Sequence, residues 1–435
     1  MKLKKRKLCF ILITAMIIIA AAGIFAYNLF NRKVSSPILN NANRNEKWTA
    51  DLKFVKNELP KKHKNLFFSK SKIEFDGDMD SLISKIDKYN DMQIKWELTK
   101  IISSINDSHT SVVIQSKSAY PVNFFQFEDG IYLVNSSLAY KDFWGKKLVA
   151  VNGYSIEQLH SKLDPIISKD NKAILKNQFC SLLRFPGVLK FAGIAKNDNV
   201  AFTFKGSPNT SVTVKSLNKE EFNKTKFLSD DPKYINNIPL SKQNSDKNYW
   251  FKYIEKSSTI YVKYNSCSNM KNYSFSSFTK DVFKTLDSKK AKTLVIDLRD
   301  NGGGNSKMFD SFLDEIKKRS NINKKGNLFV IIGRKTFSSA ILNTMDLKNS
   351  TNALLIGEPT GGKPNHFGEV KVIHLSNTNV DIQYSSKYFK TTSKDTDSIY
   401  PDVNITLKAS SYFNGKDDFL NYILDKQSSW HQMEF

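Results

Sequence analysis

NLFVIIGRKTFSSAILNTM, Asn327 to Met345, starts as an unbroken apolar run, turns polar at Arg334 and becomes apolar again at helical spacing. A run of that length without alternation reads as a strand covered on both faces, and the second part reads as a helix from Ser338 to Lys348. The same grammar repeats on either side. A helix over Phe275–Leu286 leads to the strand TLVIDL, a helix over Lys307–Lys318 precedes NLFVIIG, and ALLIG follows the Ser338 helix. Strands alternating with helices predict an α/β fold built on a parallel sheet. The chain ends with strands around VKVIHL and NVDIQYSSKYF and a short helix near Asp417–Leu424.

Upstream the pattern changes. Residues 46–115 carry helical periodicity in WTADLKFVKNEL, FDGDMDSLISKIDKY and MQIKWELTKIISSI, and read as a helical N-terminal domain. Residues 116–217 alternate short strands and helices, with an Asn-Gly turn in FWGKKLVAVNGYSIEQLHSKL. Residues 218–247 have no periodicity and read as a connecting loop ahead of a core spanning 248–435. At the other end, MKLKKRK precedes the apolar run Leu8–Tyr27, so residues 1–30 read as a membrane anchor and 31–45 as a linker. About 20 apolar residues match the hydrocarbon thickness of a bilayer. The basic head would stay cytoplasmic, giving a single-pass protein with its C-terminal domain extracytoplasmic. A cleaved signal peptide, and hence a secreted protein, is the rival reading.

Net charge is +24 over 435 residues, with lysines scattered singly along the chain. Such a diffuse field suits an anionic membrane or cell-wall surface. No nucleic-acid motif accompanies it, so nucleic acid is not an expected partner. Cys9, Cys180 and Cys267 have no metal-ligand spacing and make no disulfide framework, although a bridge between the last two stays open. No metal is expected.

The chemistry concentrates at the carboxyl ends of the predicted strands. TLVI runs into DLRDNGGGNS, where Gly302, Gly303 and Gly304 permit backbone conformations closed to other residues and leave N–H groups unobstructed. The Lys-Ser/Thr pair of a phosphate loop is missing. A Ser at the next strand-to-helix junction is placed to face the same sheet edge, and the following N–H is free because first-turn amides have no intrahelical partner. Thr336 or Ser338 as an ordinary N-cap is the competing account. A serine nucleophile needs a base. Lys363, in EPTGGKPNHFGE, and His109, in INDSHTS, are the candidates, with His366 and His374 weaker.

TLVIDLRDNGGG, GRKTFSSA, LIGEPTGGKPNHFGE and YPDV, in this order, resemble the tail-specific (C-terminal processing) serine peptidase family over roughly Tyr249–Leu407. FWGKKLVAVNG is similar to the PDZ-like segment of that family, and INDSHTSV to its Asp-x-His-Thr. The resemblance implies a crotonase- or Clp-protease-like β/α peptidase core, a PDZ-like segment over 116–217, no cofactor, and a peptide or protein substrate. It places the nucleophile on Ser338, the oxyanion hole on the Ser339 N–H with the Gly303 or Gly304 amide, and a lysine base on Lys363. Pro364 and Phe367 stand where those enzymes have Gly and Gln. The tricorn-like branch instead uses an N-terminal His, matching His109, with an acid shortly before the PD strand, matching Asp395 or Asp397. The missing Gln and the intact DSHT favour His109, leaving Lys363 to pack in its turn or to bind a substrate carboxylate. The expectation is a membrane-anchored serine endopeptidase acting on peptides or C-terminal tails of envelope proteins. The alternative is a non-catalytic peptide-binding relative of the same fold.

Overall fold

The computed structural model describes residues 34–114, 116–235 and 237–430. The anchor read over residues 1–30 lies outside them, and among the described residues no helix is long and apolar enough to cross a membrane. The predicted alternation is present as a six-stranded sheet in the order Tyr249–Ile254, Thr259–Tyr264, Thr293–Asp297, Leu328–Ile332, Leu354–Gly357, Val403–Asn404. Only the first pair is antiparallel. Thr293–Asp297 and Leu328–Ile332 are buried throughout because both faces are covered. Leu294, Ile296, Leu328 and Val330 pack with Phe278, Val282, Phe312 and Ile316 of the helices Phe275–Ser288 and Asp310–Lys317. Val295, Phe329 and Ile331 point the other way, toward Trp250, Phe419, Leu420 and Ile423. The period of two along each strand puts its apolar residues into two cores at once.

The N-terminal layer holds three helices, Arg44–Lys62, Lys72–Ile83 and Asp91–Ser103. Each starts at a capping box, formed by Asn43 with Glu46, Ser71 with Glu74, and Asn90 with Gln93. Their apolar faces do not close on one another alone. Trp48, Leu52, Leu98 and Ile102 pack with Ile373, Leu375, Val380 and Ile382 of a long hairpin, His366–Leu375 with Val380–Phe389. This corrects the expected division: the hairpin, assigned by sequence to the 248–435 core, completes the N-terminal layer instead. The linker read over 31–45 is corrected in the same way, because Val34–Ser35 pairs in parallel with Ile373–His374. The two strands are visible locally, but nothing in the period of two says which layer they will join.

Residues 116–217 have a core of their own, around Phe124, Leu159, Phe179 and Phe202. It contains a four-stranded antiparallel sheet, Tyr154–Ser155, Leu148–Val151, Asn199–Phe204 and Thr210–Lys215, beside the hairpin Val122–Phe127 with Gly130–Ser136. Residues 218–247 carry only short helical turns, Lys219–Lys224 and Pro232–Ile235, and are tied to the main sheet where Lys242 meets both oxygens of Asp300 at 2.8 Å. Cys180 and Cys267 are free buried thiols in two different cores, so the disulfide left open by the sequence is not formed.

Asp51 joins the two ends of the N-terminal layer. Fully buried, it accepts from Ser36 Oγ at 2.6 Å, from Asn377 Nδ2 and Thr378 Oγ1 at 2.8 Å, and from the Thr378 N–H at 2.9 Å. Asp51→Ala leaves those donors enclosed without an acceptor. We expect it to lower the free energy of unfolding by about 3 kcal/mol, read from the urea midpoint at unchanged m-value.

Candidate active site

Ser338 stands where the strand Leu328–Ile332 has turned and the helix Ser339–Ser350 begins, with φ +55° and ψ −125°. That conformation is costly for a residue with a Cβ, of order 1–3 kcal/mol, and persists only when its surroundings impose it. Here they do. Thr336 Oγ1 accepts from the Gly333 N–H and donates to Leu298 O, and the Phe337 N–H donates to Asn301 O at 3.0 Å. The Gly361 and Gly362 N–H groups both donate to Thr336 O. The turn is thus clamped from the strand on each side. Ser338 Oγ caps nothing, so the N-cap account of this hydroxyl does not hold.

The glycine turn lies directly against it. A Cβ on Gly303, whose φ is +107°, would come within 2.8 Å of Ser338 Cβ and 3.0 Å of Ser339 N. Gly303 donates its own N–H to Asn301 Oδ1 at 2.9 Å. The Gly304 and Ser339 N–H groups have no acceptor among the described residues, while Ser339 Oγ is held by Gly304 O at 2.5 Å. Of the three residues expected at the oxyanion hole, Gly303 and Ser339 adjoin Ser338 and Gly304 is bonded to Ser339, but only the Gly304 and Ser339 amides are uncommitted among the described residues.

Asp297, Arg299 and Asp300 of TLVIDLRD join Lys242, Lys263 and Asp417 in a balanced, largely buried set of charges. Asp297 takes Arg299 Nε, Lys263 Nζ at 3.2 Å and Tyr261 OH at 2.5 Å. Arg299 reaches on to Asp417 at 2.8 Å, and Asp300 takes Lys263 and Lys242. Burial pushes the Asp300 carboxyl up, but Lys242, Lys263 and Lys335 outweigh it and hold it well below the usual carboxylate range. Three cations face three carboxylates, and the loss of one member would strand its partners at several kcal/mol.

His109 comes from the N-terminal layer. Its loop is wound around Asp107, whose Oδ1 accepts the His109 N–H and whose Oδ2 accepts from His63 Nε2, Thr110 Oγ1 and Ser385 Oγ at 2.9, 2.5 and 2.6 Å. His63 Nδ1 accepts the Asn65 N–H, so the His63 proton sits on Nε2. Burial pushes Asp107 up, but hydrogen bonds from His63, Ser385 and Thr110 bring it down to about 2. The His109 ring stacks on Phe337 at 4.3 Å, the residue next to Ser338, and on its far side faces His366 at 6.0 Å, which in turn stacks on Phe389 at 5.3 Å. Burial, together with the neighbouring His366, lowers His109 to about 4 despite the pull of Asp107. Both His109 ring nitrogens are enclosed without a partner among the described residues, so its bond to a serine hydroxyl is not made here.

The other expected residues divide. Lys363 lies in the turn bound to Thr336 O, half-buried, and no hydrogen bond or ion pair of its side chain is made among the described residues. His366 is buried beside His109, whereas His374 pairs with Asp381 at the far end of the hairpin. Asp395 and Asp397 are exposed; the first accepts from Asn365 Nδ2 and the second from Tyr400 OH, and neither bonds His109. His63, Asp107 and Asp170, which accepts the Ser108 N–H at 3.0 Å, went unremarked as site residues in the sequence. DSHT signalled Asp107, but His63 and Asp170 sit in stretches without a motif.

Comparison with known proteins follows the same lines. Residues 258–323 match the model of peptidase family S41, a segment that includes the glycine turn and stops short of Ser338. No curated protein matches the chain. Mature CPAF complexed with lactacystin shares the fold at 13% identity and a TM-score of 0.67, over 89% of this chain and 98% of that one. Mature CPAF alone gives a TM-score of 0.63 at 13% identity, over 88% and 96%. The photosystem II D1 C-terminal processing protease aligns over 86% of this chain and 98% of that one at 13% identity, with a TM-score of 0.41. The S41 match over residues 258–323, set in an α/β fold shared with CPAF, bears out the resemblance to the tail-specific serine peptidases.

Proposed function

We propose that the protein is an endopeptidase in which Ser338 attacks the scissile carbonyl, His109 takes its proton, and the Ser339 and Gly304 amides hold the oxyanion. The observation that carries this reading is the strained, uncapped Ser338 pressed against the Gly303 turn, with the His109 ring one residue away on Phe337. A preorganised pair of N–H donors beside a nucleophile is what acyl transfer requires. His109, held neutral above about pH 4, is able to accept a proton at neutral pH. Lys363 then has a supporting role, and the exposed Asp395 and Asp397 are poorly placed to orient the imidazole. An acyl-enzyme forms and is hydrolysed by water activated by the same histidine.

The substrate is a peptide or an unfolded C-terminal tail, presented as an added strand by residues 116–217 acting as a PDZ-like segment. The apolar run Leu8–Tyr27 behind a basic head supports an anchored, extracytoplasmic enzyme, with tails of envelope proteins as its substrates and an anionic surface nearby. A second reading, a binding relative without turnover, draws on the unmade bond between His109 and Ser338. Catalytic hydrogen bonds commonly tighten only when substrate is bound, which favours the enzyme.

Casein or tail-peptide hydrolysis and fluorophosphonate labelling separate the two. We expect Ser338→Ala to abolish both, His109→Ala to cut turnover by roughly 100-fold or more, and Lys363→Ala to leave turnover within about tenfold of wild type. A Ser338→Ala protein as active as wild type sinks the enzyme reading; a dead Lys363→Ala beside an active His109→Ala reassigns the base. Lactacystin, found with CPAF, should protect Ser338 from the label. Gly303→Ala should fold yet lose roughly 100-fold in turnover, since its Cβ displaces Ser338 by clash. The pH dependence of stability tests the state of His109. Below pH 6.5 the unfolded chain binds a proton that the folded chain refuses until about pH 4, so stability present above 6.5 is lost as the pH falls through that window. Urea unfolding of wild type relative to His109→Phe should therefore worsen by roughly 3 kcal/mol at most between pH 7 and 4.

A further inference from the structure

The proposed mechanism makes an imidazolium at His109 in an enclosed site, where Asp107 pulls on the ring but no carboxylate hydrogen-bonds to it. Asp107 is near, with Oδ1 3.9 Å from His109 Nδ1, but it already accepts from the His109 N–H, His63, Thr110 and Ser385. Three of those donors crowd its Oδ2, and its Oδ1, which takes the His109 N–H, stands beyond hydrogen-bond distance of the ring. Asp395 and Asp397 are exposed and bonded elsewhere.

A second carboxylate, with one oxygen wholly unused, stands beside the His109 loop. Asp170 arrives from residues 116–217, in the stretch before the helix Lys172–Leu182. Its Oδ1 accepts the Ser108 N–H at 3.0 Å, one residue before His109, and its Oδ2 is closed off from solvent without a donor among the described residues. The groups that act on it are Asp107, on the same loop as Ser108, and Lys363, in the turn bound to Thr336. Its placement is fixed from the next residue. Asn171 Nδ2 donates to Thr360 O at 3.1 Å, Asp397 O at 2.6 Å and Ser398 Oγ at 2.9 Å, while Asn171 Oδ1 caps the helix through the Ile174 N–H. Ile174 packs against that same turn, since a Cβ on Gly361 would meet its Cδ1 at 3.0 Å.

We propose that Asp170 is the positioning acid of the reaction: brought in by residues 116–217, it anchors the Ser108–His109 backbone and supplies the negative charge that offsets the His109 imidazolium, with Lys363 as its counter-charge. The proposal rests on the Ser338–His109 peptidase reading. It gives Lys363 a role other than that of base. It also makes catalysis depend on residues 116–217 being docked, because the acid travels with them. Burial and the neighbouring Asp107 raise the Asp170 carboxyl to about 7, against the hydrogen bond from Ser108 and the pull of Lys363. An acid needed as its anion therefore gives turnover a limb that rises with pH near neutrality.

The test is the pH profile of kcat for the full chain and for Asp170→Asn, which keeps the acceptor for Ser108 and loses the charge. Expected are a wild-type limb near pH 7, its absence in Asp170→Asn, a fall in kcat of at least about tenfold with KM within about twofold, and partial recovery in Asp170→Glu. A limb that persists in Asp170→Asn belongs to another group, and an unchanged kcat removes the role; either overturns the proposal alone. If Asp170→Asn unfolds, an Asp170→Glu profile identical to wild type in height and midpoint overturns it as well. A wild type without Ser338-dependent hydrolysis overturns both this proposal and the peptidase reading.

Discussion

Ser338 holds a left-handed backbone conformation because the residues around it have no freedom to relax. The Thr336 hydroxyl is shared between Gly333 and Leu298, the Phe337 N–H is fixed on Asn301, and Thr336 O carries two glycine amides from the following strand's turn. Each bond is worth about 1 kcal/mol net, comparable with the backbone strain it opposes, so no single one would suffice. Together they present a hydroxyl that does not cap its helix and an amide that has no acceptor among the described residues. Everything proposed for this site, from attack to oxyanion binding, follows from that clamp.

The clamp needs a rigid floor, and the buried charges beneath the glycine turn provide it. An apolar set in place of Asp297, Arg299, Lys263, Asp300 and Asp417 would stabilise the sheet as well or better. What the ionic set adds is direction, because charged hydrogen bonds hold only in a narrow geometry, even though Arg299 Nη2 and Asp417 Oδ2 have no partner among the described residues. Asn301, which receives Phe337 and orders Gly303, is the residue immediately after Asp300. The turn is therefore aimed by electrostatics from below and by the neighbouring strand from the side.

Much of this was legible in the sequence, and the limits have physical causes. The parallel sheet, the Ser338 junction and the Gly302–Gly304 turn are local, because strand burial, helix period and glycine conformations are written within about a dozen residues. His109 and Lys363 were legible as candidates through motif resemblance, and they differ in setting, His109 buried in a ring stack on Phe337 and Lys363 half-buried in its turn. Asp395 and Asp397 were chosen for their position ahead of Pro401, but spacing along a loop says nothing of where a side chain points. Asp170 and His63 had no local signal at all, since their importance comes from contacts with Ser108 and Asp107. VKVIHL and NVDIQYSSKYF were legible as strands, but neither their pairing nor the layer they join was, because one buried face fits any other of matching shape.

The hairpin 366–389 governs when the protein can exist as an active object. Ser36 is bound to Ser376, more than three hundred residues downstream, and Thr110 and Asp107 are bound to Ser385. A chain emerging from the ribosome must keep its first three helices waiting, their apolar faces uncovered, until nearly the whole sequence has been made. Closing so long a loop is slow, although its entropic cost grows only logarithmically with length. The delay has a consequence. The His109 loop gains its bonds to Ser385 only once the last third of the chain is made, so a chain interrupted before then lacks them.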